Sequence, residues 1–169
     1  MQISKMTIGR NVRVDLVGHV HNVPAKIDTG ADSSSLWVSQ IDIPPSGVLQ
    51  FSLFDTSSPL YTGDVIKTKH YRAVRVRSSS GHEEIRYRVI MPVVIKGKRI
   101  KVTFNLSDRS KNQFPILIGR RTLNKKFIVD VSVADDDVKP KQKDISETLS
   151  YELQQNPHEF FKKYHGRDL

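Results

Sequence analysis

Apolar and polar residues alternate along most of the first 130 positions of this 169-residue chain, the spacing of strands with one buried face. Asn11-Val12-Arg13-Val14-Asp15-Leu16-Val17 shows it plainly; Gly18 to Asn22 then reads as a turn. Val23-Pro24-Ala25-Lys26-Ile27 returns as a second strand that ends at Asp28, and residues 1–8 read as a short lead-in strand. After the loop Asp42-Ile43-Pro44-Pro45-Ser46-Gly47, the pattern resumes over Val48 to Phe54, breaks at Ser57-Ser58-Pro59 and continues from Val65 to Val76. From Arg75 to Ile90 alternating flanks surround a centre rich in glycine and serine, which predicts a hairpin. Val93 to Leu106 predicts another, turning at Gly97. Phe114 to Ile118 is short and almost wholly apolar, as in a strand buried on both faces. Gly119 to Leu123 can open a brief helix, and Phe127 to Val131 closes the pattern as a strand.

Composition shifts at Asp135. The expected organisation is a folded domain over 1–134 and a polar linker and tail over 135–169. Ser146-Glu147 caps a helix running to about Gln155, Asn156-Pro157 stops it, and Phe160, Phe161 and Tyr164 form an aromatic cluster. The formal net charge of +9 attracts acidic partners, although a plain soluble surface has the same look. Nucleic acid is the weaker partner choice: aromatics are 8% of the chain and no helix-turn-helix, zinc-finger or RNP-like pattern occurs. No apolar run is long enough to span a bilayer and no signal-peptide core is present, so the expected location is cytoplasmic. Without cysteine there is neither a disulfide nor a thiolate ligand. His19 and His21 sit at a turn with no third ligand nearby, Asp135-Asp136-Asp137 lacks the spacing of a calcium loop, and no Walker-type glycine loop exists. Neither a metal nor a cofactor is expected.

The chemistry is concentrated in Ala25-Lys26-Ile27-Asp28-Thr29-Gly30-Ala31-Asp32-Ser33-Ser34-Ser35-Leu36. An apolar approach ends in an acid, a hydroxyl residue and a glycine, so the Thr hydroxyl and glycine amide can hold the acid in a tight turn. Alone, Asp-x-Gly is most often only a turn. A second segment changes that balance: Phe114-Pro115-Ile116-Leu117-Ile118-Gly119-Arg120-Arg121-Thr122-Leu123 runs three apolar residues into Gly-Arg and then Leu.

Together these motifs resemble the retropepsin-like aspartic peptidases, and more closely the bacterial and archaeal branch that carries the label "ATP-dependent zinc protease". The resemblance spans about Val12 to Val131 and includes Arg75-Val76-Arg77-Ser78-Ser79-Ser80-Gly81-His82 and Asp108-Arg109-Ser110. It implies an all-β, closed barrel with a flap hairpin, to which the residue pattern adds one short helix after the Gly-Arg motif and a partly helical tail. It also implies that Asp28, Thr29 and Gly30 are catalytic and that Ala31, Asp32, Ser78, Ser79, Ser80, Gly81 and His82 bind substrate. Ile118, Gly119 and Arg120 would support the site from behind. Members of the branch usually carry a basic residue where this chain has Asp32. The retroviral enzymes have an acid there, paired with the arginine of Gly-Arg, so an Asp32–Arg120 ion pair is expected. The zinc and ATP of the label find no matching residues: there is no His-Glu-x-x-His helix.

Peptide hydrolysis of this kind needs two carboxyls that share one proton, because like charges so close cannot both ionise. The chain has one Asp-Thr-Gly and no Asp-Ser-Gly, so a single copy holds half a site. A two-fold homodimer would bring Asp28 and its mate together. The expected function is thus a homodimeric aspartic peptidase acting on peptides or proteins, with acidic, glutamate-rich tails among the candidate substrates. Arg75, Arg77, Arg86 and Arg88 suit such a peptide, or simply solvate an exposed hairpin. The competing reading is a non-catalytic dimeric module that binds an acidic protein or nucleic acid.

Overall fold

The computed structural model describes residues 5–77, 81–134 and 146–166, in two compact units, Met1–Val138 and Lys139–Leu169. The first unit contains β1 (Met6–Ile8), β2 (Asn11–Leu16), β3 (Val20–Asp28), β4 (Ser34–Asp42), β5 (Leu49–Leu53), β6 (Val65–Thr68), β7 (Tyr71–Arg77), β8 (Glu83–Ile95), β9 (Lys98–Ser107), β10 (Ile116–Gly119), α1 (Arg120–Leu123) and β11 (Phe127–Val129). β10 lies between β3, to which it is parallel, and β4, to which it is antiparallel. That double pairing closes β3, β2, β8, β9, β4 and β10 into a barrel. β10 can do this because Ile116, Leu117 and Ile118 need no solvated face; Ile116 and Ile118 are fully buried.

Alternate residues of β2 (Val12, Val14, Leu16) and of β9 (Ile100, Val102, Phe104) point into the core, as their spacing predicts. Trp37 and Phe54 meet edge to face at 5.7 Å beside Phe51. The β8–β9 turn uses Lys96 (φ 49°) and Gly97 (φ 76°), the two left-handed residues that match the twist of paired strands. β5 and β6 extend the sheet beyond β4, whereas β7 pairs with the outer half of β8 from Tyr71↔Val89 to Arg77↔Glu83. The expected hairpin is therefore present, its arms largely exposed on both faces. Residues 65–76 do not form one strand. The chain turns at Lys69-His70, where the Thr68 hydroxyl accepts from the His70 amide (3.0 Å). β1 and β11 form a separate parallel pair, Met6↔Phe127 to Ile8↔Val129.

The second unit holds α2 (Ser146–Gln155) and α3 (Pro157–His165). Asn156-Pro157 ends one helix and begins the next: the Asn156 side chain accepts from the Glu159 amide (3.2 Å) and Pro157 occupies the first turn. Glu152 accepts from the Tyr164 hydroxyl (2.8 Å) and pairs with Lys163, tying α3 to α2. No helix among the described residues is long and apolar enough to cross a membrane.

Candidate active site

Asp28 is the last residue of β3, and its register partner across the parallel ladder is Gly119. Beyond it the chain leaves the sheet. One carboxylate oxygen, Oδ1, accepts from the amides of Gly30 (3.1 Å) and Ala31 (3.2 Å). Such bonds hold the acid by backbone groups that cannot rotate away. The far side of the loop is clamped by α1, whose first amides have no partner inside so short a helix. Arg120 donates its backbone N–H to the Ala31 carbonyl (2.7 Å) and Arg121 to that of Asp32 (3.2 Å). Gly119 donates to the buried Ser34 hydroxyl (3.1 Å), which shares a hydrogen bond with Thr122 Oγ1 (2.8 Å).

Only glycine fits at position 119. A Cβ there would stand 2.5 Å from the Ser33 carbonyl oxygen and 2.8 Å from that of Ala31. Asp32 forms an ion pair with Arg120, and its other oxygen lies 3.7 Å from Arg121. These side chains are about half exposed, so the pair orients the loop more than it stabilises it.

The surroundings of the loop are cationic. Arg109 is half-buried and donates through Nε to the Phe114 carbonyl (3.1 Å). Burial pushes its guanidinium pKa down, the nearby charge of Arg86 adds to that, and the Asp28 carboxylate opposes both. Arginine stays protonated through such a shift. The preceding turn is set by Asp108, which accepts from the Ser110 amide (2.8 Å); that bond, with help from the Ser110 hydroxyl, holds the Asp108 carboxyl below its ordinary range. Residues directly opposite in a ladder share a face, so the β7–β8 register places Arg72, Val74, Arg86 and Arg88 on one face of the hairpin. Arg75, Arg77, Ile85 and Tyr87 fall on the other. Arg88 donates to Asn105 Oδ1 (2.8 Å) and to Ser33 Oγ (3.3 Å), which ties the hairpin's base to the Asp28 loop.

A family model described as the retropepsin-like aspartic endopeptidase RimB (RimB-like) matches residues 7–141. The chain belongs to this RimB-like family. Its barrel is similar to the crystal structure of a protein of unknown function, Lpg0085 (DUF785), from Legionella pneumophila subsp. pneumophila, at 22% identity and a TM-score of 0.61. The similarity covers 80% of this chain and all of that one, and at this identity it speaks for the fold alone. A search of curated proteins finds no match.

In this RimB-like chain the structure brings Asp28, Thr29, Gly30, Ala31 and Asp32 into one loop against Ile118, Gly119 and Arg120. Thr29 and Gly30 are exposed, as are Gly81 and His82 on the hairpin. Ser78, Ser79 and Ser80 lie outside the described residues. The four hairpin arginines, grouped together on composition, separate: Arg75 and Arg77 pair with Glu83, Arg86 with Glu84, and Arg88 turns to Ser33. Strand parity alone could have divided them. Ser34, Thr122 and Arg109 fall inside the stretches that carry the resemblance, but nothing in the residue pattern gave them a supporting role. His21 Nδ1 lies 3.6 Å from Asp15, and among the described residues no three His, Asp or Glu side chains group as metal ligands.

Proposed function

We propose that this protein is a homodimeric aspartic peptidase whose catalytic pair is Asp28 of each copy. The observation that carries this is the Asp28 carboxylate, gripped by two loop amides at the end of a barrel strand in a chain of the retropepsin-like family. With a single Asp-Thr-Gly per chain, the second carboxyl comes from a second copy, and Thr29 faces its mate across the two-fold axis. Exposed apolar side chains around the β1–β11 pair support association there: Met6, Ile128, Val131 and Val133 all lie open.

In the dimer one Asp28 carboxylate takes a proton from a water held between the pair as the water oxygen attacks the peptide carbonyl. The protonated partner gives its hydrogen to the carbonyl oxygen, forming a neutral tetrahedral diol. Collapse breaks the C–N bond, the leaving nitrogen collects the proton first taken from water, and the second hydroxyl returns its own to the pair. The β7–β8 hairpin acts as the flap, with Gly81 and His82 on the peptide, and Ala31 and Asp32 line the cleft. Arg86, Arg88 and Arg109 near the loop favour acidic substrate residues, so glutamate-rich tails are the substrate class we assign. A cysteine-free chain suits work in the cytoplasm.

Peptide cleavage followed by mass measurement tests this. The wild type is expected to hydrolyse acidic peptides in the presence of a chelator, and Asp28→Asn to lose about a thousandfold or more in kcat. Equal hydrolysis by Asp28→Asn would remove Asp28 from the chemistry, and a wild type that hydrolyses nothing would assign the barrel to the binding-module reading instead.

A further inference from the structure

The outer wall of the barrel carries a cavity of about 620 Å³ that the catalytic loop borders but does not fill. On β8 and β9, Ile90, Lys101 and Thr103 face it, whereas Val89, Met91, Val102 and Phe104 between them point into the core. Its charged lining is Lys69, Arg72, Arg88, Lys101, Arg121 and Lys126, and no carboxylate joins them among the described residues. Among the described residues, Arg121 alone of these six has a carboxylate within 4 Å, Asp32 at 3.7 Å. The hairpin shows how this protein treats arginines that face solvent: Arg75 and Arg77 are both met by Glu83. Six like charges around one hollow repel each other, and an anion bound among them would relieve that repulsion. Arg88 is held in place by Asn105 and Ser33, so part of the site is preorganised.

We propose that this cavity is an exosite for an acidic stretch of the substrate that lies outside the cleft around the scissile bond. Ser33 and Ser34 form its edge, immediately after Asp32, so a chain leaving the Asp28 loop enters it directly. A hollow of this size, with cations spread around it, holds several carboxylates rather than one. The proposal deepens the acidic-substrate reading and rests on it, but binding can be measured without turnover.

The test uses the full chain with Asp28→Asn and a fluorescent oligoglutamate peptide, with oligoglutamine as the neutral probe. Oligoglutamate binds, more weakly as salt rises, and oligoglutamine does not. Adding Lys101→Glu and Lys126→Glu lowers affinity about tenfold, and the milder alanine pair lowers it less, in the same direction. The charge-matched pair Arg13→Glu, on β2, and Lys96→Glu, at the β8–β9 turn, neither of which lines the cavity, costs under about threefold. Equal losses from the two glutamate pairs would reduce the site to overall charge and overturn the proposal. So would an oligonucleotide that binds more tightly than oligoglutamate through Lys101 and Lys126. A wild type that binds oligoglutamate in this pattern yet hydrolyses nothing would sink the peptidase reading and leave the exosite standing.

Discussion

The Asp28 loop and the β7–β8 hairpin belong to one barrel and are held in opposite ways. The loop is fixed by backbone amides, by the first turn of α1 and by a buried Ser34–Thr122 bond, with a glycine at the point of closest approach. The hairpin has its ladder and a few solvent-exposed ion pairs, and it leaves Ile85 61% exposed. Groups that cannot rotate set the position of the acid, whereas side chains that rearrange cheaply cover the hairpin. Substitutions in the loop should therefore cost stability, and those in the hairpin should cost little beyond ligand contact.

Gly119→Ala applies the strongest pressure to that contrast. Its methyl group would meet two backbone oxygens that cannot swing aside, for a cost of about 3 kcal/mol. For a protein of this size the melting temperature falls by roughly 6–12 °C; an unchanged melting curve would mean that the loop is not clamped. Ser34→Ala comes next. It strands the buried Gly119 amide and the Thr122 hydroxyl, so chemical denaturation should register a loss of about 1–3 kcal/mol. Glu83→Ala is the smallest. It frees Arg75 and Arg77 on an exposed arm and should change stability by less than about 1 kcal/mol. A hairpin change as costly as the loop changes would erase the distinction.

Much of this was legible from residue pattern. Alternation located β2, β3 and the β8–β9 hairpin, and the two halves of the Asp-Thr-Gly and Gly-Arg signature met as β3 beside β10. The turn at Lys69-His70 escaped because it contains neither glycine nor proline; pairing with different neighbours, β5 and β8, divides that stretch. α3 escaped for a different reason. Asn-Pro reads as a stop, yet the same two residues are a good N-cap and first helical position. The site's supporting bonds were hidden because Ser34, Thr122 and Gly119 meet from distant parts of the chain, which no local spacing encodes. The nearness of Arg109 to Asp28 is likewise set by the fold.

Subunit mixing tests the central claim, that each active centre draws one Asp28 from each of two copies. Wild-type and Asp28→Asn protein would be allowed to exchange at fixed total concentration while peptide hydrolysis is followed. If the pair is shared, activity falls with the square of the wild-type fraction, because every mixed dimer is inactive. A fall in simple proportion to that fraction would mean that each copy hydrolyses peptides by itself.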